Sequence, residues 1–204
     1  GERGFDVPAP IVVADGSDVE QALRAALDEG VGLIITSGGV SAGAYEVVKD
    51  ALGGRSTEHG GPVEFVKVAM QPGMPQGCGH HRDPTGRPVP IITLPGNPVS
   101  SLVSFEVFVR SALRAAMGLT PHERPRRAAT LTEDLTSPRG KRQFRRGVFD
   151  PVADTVTSYG PPASHHLRWL ASANCLLEID EDTAELAAHW HESHRWEPQM
   201  DAED

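Results

Sequence analysis

The sequence predicts an α/β protein with a mostly parallel sheet and flanking helices, followed by a small β-barrel-like domain. Short apolar runs alternate with amphipathic helical stretches through residues 11–117, which is typical of a parallel sheet covered by helices. After Thr120 the pattern changes to short β-type runs separated by turn residues, and Pro121 and Pro125 indicate a linker. We therefore expect an α/β domain at residues 1–119, a β-domain at 125–190 and a tail at 191–204.

Each element of the first predicted domain has its own sequence pattern. Ser17 and Glu20 have the spacing of a capping box before a helical stripe, and Gly30 is a typical C-terminal stop. In the stretch after Pro98, apolar residues recur at helical spacing and Gly118 closes it. In chain order, strands are expected at 11–13, 31–36, 63–70 and 90–94, helices from 17 to the stop at 30, at 45–52 and at 99–117, and a long loop or hairpin at 71–87.

The second predicted domain contains β-type runs and a cluster of basic residues. The runs lie at 128–131, 144–149, 155–159 and 175–179. Alternation along a strand would place Arg145 on one face and Phe144 with Arg146 on the other. We interpret the cluster as a solvated face, with a ligand-binding patch as the alternative. Its members are Arg139, Lys141, Arg142, Arg145 and Arg146. The tail lacks the alternation of a strand, and its histidines lack the partners of a metal site.

Composition excludes several classes of protein. The net charge of -9 argues against a general nucleic-acid binder. The two cysteines, Cys78 and Cys175, form neither a disulfide framework nor a zinc-ligand pattern, which favours a reduced, cytoplasmic protein. No apolar run approaches the ~18–20 residues of a membrane span, so no membrane segment is expected. The chain begins with Gly1 rather than Met, and we expect it to be part of a longer polypeptide.

Two strand-to-helix junctions point to ligand binding. Glycines let the backbone approach a ligand, while hydroxyl groups and a helix N-terminus donate hydrogen bonds to anions. Ligands of open α/β sheets bind outside the carboxyl ends of the strands, so both junctions should lie at one edge and accept a phosphate or oxyanion, although either one alone could be a simple tight turn. The first junction contains Ser37, Gly38, Gly39, Ser41 and Gly43, and the second contains Pro95, Gly96, Asn97, Pro98 and Ser100.

Three segments in this order resemble the molybdopterin molybdenumtransferases of the MoeA type, to which the E domain of gephyrin is related. These segments are TSGGVSAGAYEVVK, VKVAMQPGMPQG and LPGNPVSSLVSFEVFVRSAL. The later segments RGKRQFRRG and SHHLRWLASANCLL resemble the C-terminal domain of the same family. The resemblance covers most of residues 11–188.

The resemblance implies an enzyme of molybdenum-cofactor biosynthesis that inserts molybdenum from molybdate into adenylylated molybdopterin and releases AMP. It implies Mg²⁺ as a cofactor, a homodimer, and a molybdopterin adenylyltransferase as a possible partner. Glu46 stands where the family has a catalytic aspartate and would be the metal ligand, and Lys67 occupies a lysine position and would balance substrate charge. The two junctions, together with Gln71, Pro72 and Gly73, would form the pterin-nucleotide pocket.

The sequence also departs from the family pattern. Gln71 and Met74 stand where many relatives carry lysines, Glu46 is one methylene longer than aspartate, and the first strand of the α/β domain is expected to be missing. Two other functions therefore stay open: a non-catalytic binding or scaffold module that keeps the fold, and a molybdopterin adenylyltransferase-type domain.

Overall fold

A computed structural model describes residues 5–13, 16–39, 47–53, 63–160, 171–188 and 194–196. The chain folds into two compact units. Unit 1 contains the chain up to Val68 and again Gly73–Asn97, and unit 2 contains Ala69–Pro72 and the chain from Pro98 onward. The chain therefore passes between the units three times. The predicted boundaries at 119 and 125 stay a prediction.

Helices and strands alternate in unit 1, and strands dominate unit 2. In chain order the elements are α1 (Gly16–Asp28), β1 (Ile34–Ser37), α2 (Val47–Leu52), β2 (Glu64–Lys67), β3 (Met70–Gln71), β4 (Pro75–Arg82), β5 (Pro88–Leu94), α3 (Pro98–Ser104), a π-helical turn (Phe105–Val109), α4 (Arg110–Ala116), β6 (Arg126–Arg127), β7 (Thr130–Leu131), β8 (Leu135–Thr136), β9 (Arg142–Asp150), β10 (Thr155–Ser158), β11 (Cys175–Ile179), β12 (Glu185–Leu186) and β13 (His194–Trp196).

The sheet of unit 1 has the strand order β1-β5-β4-β2. Strands β1 and β5 are parallel, whereas β4 is antiparallel to both of its neighbours. The predicted α/β class is confirmed, and within the described residues the sheet is mixed rather than mostly parallel. The reason is β4, which occupies about half of the segment 71–87, predicted as a long loop or hairpin, and which forms a hairpin with β5.

The core of unit 1 lies between this sheet and its helices. The apolar stripe of α1 provides Val19, Leu23 and Leu27, which pack in one cluster with Val89 and Ile91 of β5. The helix stops as expected, since Gly30 has a φ of +78°. The strand predicted at 11–13 is wrong, because these residues are irregular; Ile11 and Val12 expose their side chains, and Val13 packs against the core of unit 1.

The long helix predicted at 99–117 is present in unit 2 as α3, the π-helical turn and α4. The segment after it folds back along the helix. Arg124 donates two hydrogen bonds to the Glu106 carboxylate, both 3.0 Å long, and Arg114 donates to the carbonyl oxygen of Pro121 at 2.9 Å. The linker is therefore held by charged hydrogen bonds to the helix it follows.

The main sheet of unit 2 has the order β6-β13-β11-β9-β10-β7, and β3 pairs with β9. Its core includes Leu131, Val156 and Leu177, which are fully buried. The predicted β-domain is confirmed. The predicted tail is wrong in part, because β13 lies within it and pairs with both β11 and β6. Backbone pairing on two sides defines this strand, although its short sequence, HRW, shows no apolar alternation.

Candidate functional site

The two glycine-containing junctions meet at one edge of the sheet of unit 1. Their strands β1 and β5 are parallel neighbours, with Ser37 opposite Leu94 at their carboxyl ends. The backbone N–H of Gly38 donates to the carbonyl oxygen of Leu94 at 3.1 Å, and the hydroxyl of Ser37 donates to that of Pro95 at 3.3 Å. The expectation that both junctions lie at the same edge is confirmed.

Glycines are required here by the packing of the two loops. A Cβ atom on Gly96 would lie 3.0 Å from the Cα atom of Gly38. Gly39 has a φ of +68°, and a Cβ atom there would lie 2.9 Å from both the backbone nitrogen and a side-chain carbon of Val48. The small residues therefore let the loops touch each other and let α2 approach, which is a structural need beside any ligand.

Lys67 lies at the same edge of the sheet as the two junctions. Strand β2 is antiparallel to β4, which is antiparallel to β5, so β2 runs in the direction of β5 and ends at the same side. Lys67 is the last residue of β2, is exposed, and faces Pro75 across the ladder. With one strand between them, β2 and β5 are about 10 Å apart. A lysine side chain can cover much of that distance.

The segment from Gln71 to Gly73 is divided between the units. In unit 2, the side-chain amide of Gln143 donates to that of Gln71 at 3.3 Å. In unit 1, Gln76 donates to the carbonyl oxygen of Gly73 at 2.6 Å, and Gly73 is buried with a φ of +98°. Pro72 belongs to unit 2.

The second junction is divided as well. Pro95, Gly96 and Asn97 belong to unit 1, and Pro98 with the buried Ser100 belongs to unit 2. Unit 1 thus unites Ser37, Gly38, Gly39 and Pro95–Asn97 at one rim. Ser41, Gly43 and Glu46 lie outside the described residues, and their roles stay predictions.

Unit 2 contains a basic cleft that the sequence interpretation missed. The cleft is small, about 10 Å³, and Arg145 and Arg146 line it beside Phe144. Burial lowers the pKa of both guanidinium groups, and the Nε atom of Arg145 is buried without a hydrogen-bond partner. The remaining lining residues are Pro72, Val99, Val103 and Gly160.

The solvated-face interpretation of this cluster is therefore wrong for Arg145 and Arg146. Arg146 is only 5% exposed. It shares its strand face with the buried Phe144, and that shared face was the feature of the sequence that could have identified it. Arg142, by contrast, makes surface ion pairs with Asp180 and Glu181 and a further one with the buried Glu178.

The described residues provide no ligand set for a divalent cation. They contain no cluster of three or more His, Cys, Asp or Glu side chains that could hold a metal ion. The rim offers backbone N–H groups, hydroxyls and the Asn97 side chain, whereas Mg²⁺ prefers carboxylate and phosphate oxygens. The expected ligand, Glu46, lies outside the described residues. No described helix is long and apolar enough to cross a membrane.

Two protein families match the chain. The family described as a probable molybdopterin binding domain matches residues 1–115, and the family described as the MoeA C-terminal region (domain IV) matches residues 128–188. Two solved structures are similar in fold. A molybdopterin biosynthesis moeA protein from Pyrococcus horikoshii OT3 has a TM-score of 0.63 and 20% identity, and the match covers 89% of this chain and 39% of that chain. A molybdenum cofactor biosynthesis protein from Pyrococcus furiosus has a TM-score of 0.64 and 20% identity, and the match covers 88% of this chain and 54% of that chain. At this identity the likeness concerns the fold alone.

Curated relatives are more similar in sequence. Molybdopterin molybdenumtransferase 2 of Mycobacterium tuberculosis is 69% identical over 159 residues, which is 76% of this chain and 38% of that protein. Molybdopterin molybdenumtransferase of Haemophilus influenzae is 30% identical over 176 residues, which is 84% of this chain and 41% of that protein. The chain thus spans about two fifths of the length of these relatives. The first family match covers 115 of the 204 residues of this chain, and the second family match follows in its β-rich part. The chain therefore belongs to the MoeA-type molybdopterin molybdenumtransferase family.

Proposed function

We propose that this chain acts in molybdenum-cofactor biosynthesis, as part of an enzyme that inserts molybdenum from molybdate into adenylylated molybdopterin and releases AMP. The observation that carries the proposal is the rim of unit 1, where the β1 and β5 junctions touch at the carboxyl edge of the sheet. Family membership supports it. Both substrates are anionic, and such an edge is where α/β sheets bind phosphate-bearing ligands.

Each rim residue has a proposed part in substrate binding. Ser37, Gly38 and Gly39 would place hydroxyl and backbone groups against the pterin nucleotide, with Gly96 and Asn97 on the other side. Lys67, exposed at the same edge, would balance the charge of phosphate or molybdate as a point-charge donor. These groups bind and orient, so their contribution is to hold the reacting dithiolate and the oxyanion in one geometry.

The finer parts of the proposal concern residues and partners beyond the rim. We infer that Glu46 would bind Mg²⁺, that Ser41 and Gly43 would complete the anion loop, and that Gln71–Gly73, Pro98 and Ser100 would extend the pocket. A homodimer, a molybdopterin adenylyltransferase partner and a cytoplasmic location belong to the same proposal. Turnover by this chain is also part of the proposal, because the chain matches about two fifths of each relative.

A binding module without turnover is the second candidate, and the departures from the family pattern at Glu46, Gln71 and Met74 favour it. Such a module would hold adenylylated molybdopterin at the rim without supplying the remaining groups that the reaction needs. The adenylyltransferase-type alternative gains no support, since the β-rich part of the chain matches the MoeA C-terminal region.

Calorimetric titration of the chain with adenylylated molybdopterin, with and without Mg²⁺, tests the proposal. We expect Gly96→Ala to weaken binding about tenfold, or ~1.4 kcal/mol, because its Cβ atom would push against Gly38. Gly86→Ala is the matched control, since Gly86 lies in the β4–β5 turn with open space around it. Glu46→Ala should remove only the Mg²⁺-dependent part of the affinity.

The outcomes separate the candidates. Binding by the wild-type chain with release of AMP on adding molybdate supports the enzyme, and binding without AMP release supports the module. If the folded wild-type chain does not bind, or if Gly96→Ala binds as tightly as Gly86→Ala, the rim is not the ligand site.

A further inference from the structure

Two buried hydroxyl groups lie side by side behind the rim of unit 1. Thr36 of β1 and Thr93 of β5 are register partners in the parallel pair, one residue before Ser37 and Leu94. Thr93 has no exposed surface. The Oγ1 atoms of both residues are buried and have no hydrogen-bond partner among the described residues. Buried hydroxyls are nearly always hydrogen-bonded, so a neighbouring pair without partners needs a physical explanation.

Their surroundings are apolar. Alternation along the strands places Thr36 on the face of Ile34 and Thr93 on the face of Ile91, toward the core of unit 1. On the next strand, Gly77 is the register partner of Thr93, and a Cβ atom on Gly77 would overlap the Thr93 hydroxyl and lie 2.8 Å from the ring of Phe65. No charged group shares this row, so an ion has nothing to balance it there.

We propose that Thr36 and Thr93 together bind one buried water molecule, and that this water holds the ends of β1 and β5 in register. A hydroxyl both donates and accepts, and water does the same, so one molecule can bond to both residues at once. The two threonines are then positioning residues for the rim, because the Ser37–Gly39 loop begins one residue after Thr36 and the Pro95–Asn97 loop begins two residues after Thr93.

Replacement by valine tests the water, because valine keeps the shape of threonine and removes only the hydroxyl. We expect Thr36→Val and Thr93→Val each to lower the urea midpoint of unfolding, and the double variant to lower it by less than the sum, since the second replacement finds the water already lost. Thr136→Val, at an exposed position of β8, is the control for the effect of valine in a strand.

The opposite result would overturn the proposal. If the hydroxyls are simply unpaired, each valine removes a buried polar group and raises the midpoint relative to Thr136→Val, with additive effects. A high-resolution crystal structure of the wild-type chain distinguishes water from a direct bond between the threonines. Density for a water within hydrogen-bond distance of both Oγ1 atoms is expected, and coupled losses without such density would refute the water site.

The positioning role has its own readout. The backbone N–H of Gly38 donates to Leu94 across the two strand ends, and its hydrogen exchange reports on their register. We expect faster exchange at Gly38 in both threonine variants and no change in Thr136→Val. Unchanged exchange at Gly38 would show that the threonines do not position the rim.

Discussion

At the scale of single residues, the glycines of the rim differ in what holds them. Gly39 combines a positive φ with a crowded environment, whereas Gly86 combines a positive φ with open space. The two positions therefore separate backbone strain from steric exclusion. This contrast matters because a glycine in a ligand loop can be required by the ligand, by the backbone or by a neighbouring element.

We predict that Gly39→Ala destabilises the chain more than Gly86→Ala does. Alanine at Gly86 costs the strain of a left-handed backbone, roughly 1–2 kcal/mol. At Gly39 the contact with Val48 adds roughly 1–3 kcal/mol of overpacking. Urea unfolding of the two variants measures the difference. Equal losses would mean that α2 moves aside freely.

Asp83 gives unit 1 a predicted sensitivity to acid. Hydrogen bonds from the Thr85 hydroxyl and then the Arg87 side chain lower the pKa of Asp83 from 3.8 to about 2. Since the folded pKa lies below that of the unfolded chain, ionised Asp83 stabilises the fold above about pH 4, and the contribution is lost as the pH falls from about 4 to about 2. Asp83→Asn should therefore be less stable than wild type at pH 7, with the gap closing over that interval.

Thr85→Val provides the matched comparison for this titration. It removes the largest cause of the shift and should raise the pKa of Asp83, so that the loss of stability begins at higher pH. Urea midpoints between pH 7 and pH 2, with an NMR titration of the Asp83 carboxyl, measure both effects. A gap between wild type and Asp83→Asn that stays constant down to pH 2 would contradict the assignment.

At the scale of elements, the helix from Pro98 to Ala116 is interrupted by a π-helical turn that contains Glu106. That residue accepts both hydrogen bonds from Arg124 and also pairs with Arg110 at 3.7 Å. Only 16% of the Glu106 side chain and 17% of the Arg124 side chain are exposed. The ion pair therefore fixes the linker more strongly than a surface pair would.

We predict that Glu106→Gln lowers the free energy of unfolding by about 1–3 kcal/mol, because it weakens charged hydrogen bonds to the largely buried guanidinium of Arg124. Asp154→Asn is the control. It breaks an ion pair of similar length with Arg127, but both side chains are about half exposed, so the loss should stay below about 1 kcal/mol. Chemical denaturation measures both, and equal losses would show that the linker contact is an ordinary surface pair.

Side-chain periodicity explains which elements the sequence predicted. Helix α1 with its stop at Gly30, the long helix and β11 all have clear patterns and lie where they were expected. For the segment of β4 the sequence left a long loop or a hairpin open, because its glycines and flanking prolines disfavour a strand, and the hairpin is what forms. Gly77 fits a site already filled by Thr93 and Phe65. The meeting of the two junctions followed from strand order, whereas burial of Arg146 depends on contacts made far along the chain.

At the scale of the whole molecule, the two compact units divide the chain differently from the domains expected at 1–119 and 125–190, which stay a prediction. Residues Ala69–Pro72 and the long helix belong to unit 2, although the sequence placed both in the first domain. The reason is non-local pairing, since β3 pairs with β9 and α3 lines the same cleft as β9. Apolar periodicity shows that a helix forms and leaves open which unit it joins.

A fragment of residues 1–119 tests where the helix belongs. We expect the amides of the 98–116 helix to exchange at least about tenfold faster in the fragment than in the whole chain, because the fragment lacks β9. The amides of β5 are the internal control, since their pairing partners β1 and β4 remain in the fragment. Equal protection of the helix in both would place it with the first domain.

The passage of Ala69–Pro72 into unit 2 also imposes an order on folding during synthesis. Unit 1 has all of its described strands once Leu94 has left the ribosome, whereas Gln71 must wait for Gln143, 72 residues later. At ~5–20 residues per second, that wait is roughly 4–14 s. A strand of only two residues exposes few unpaired backbone groups in that interval, so the nascent chain offers little for another chain to pair with.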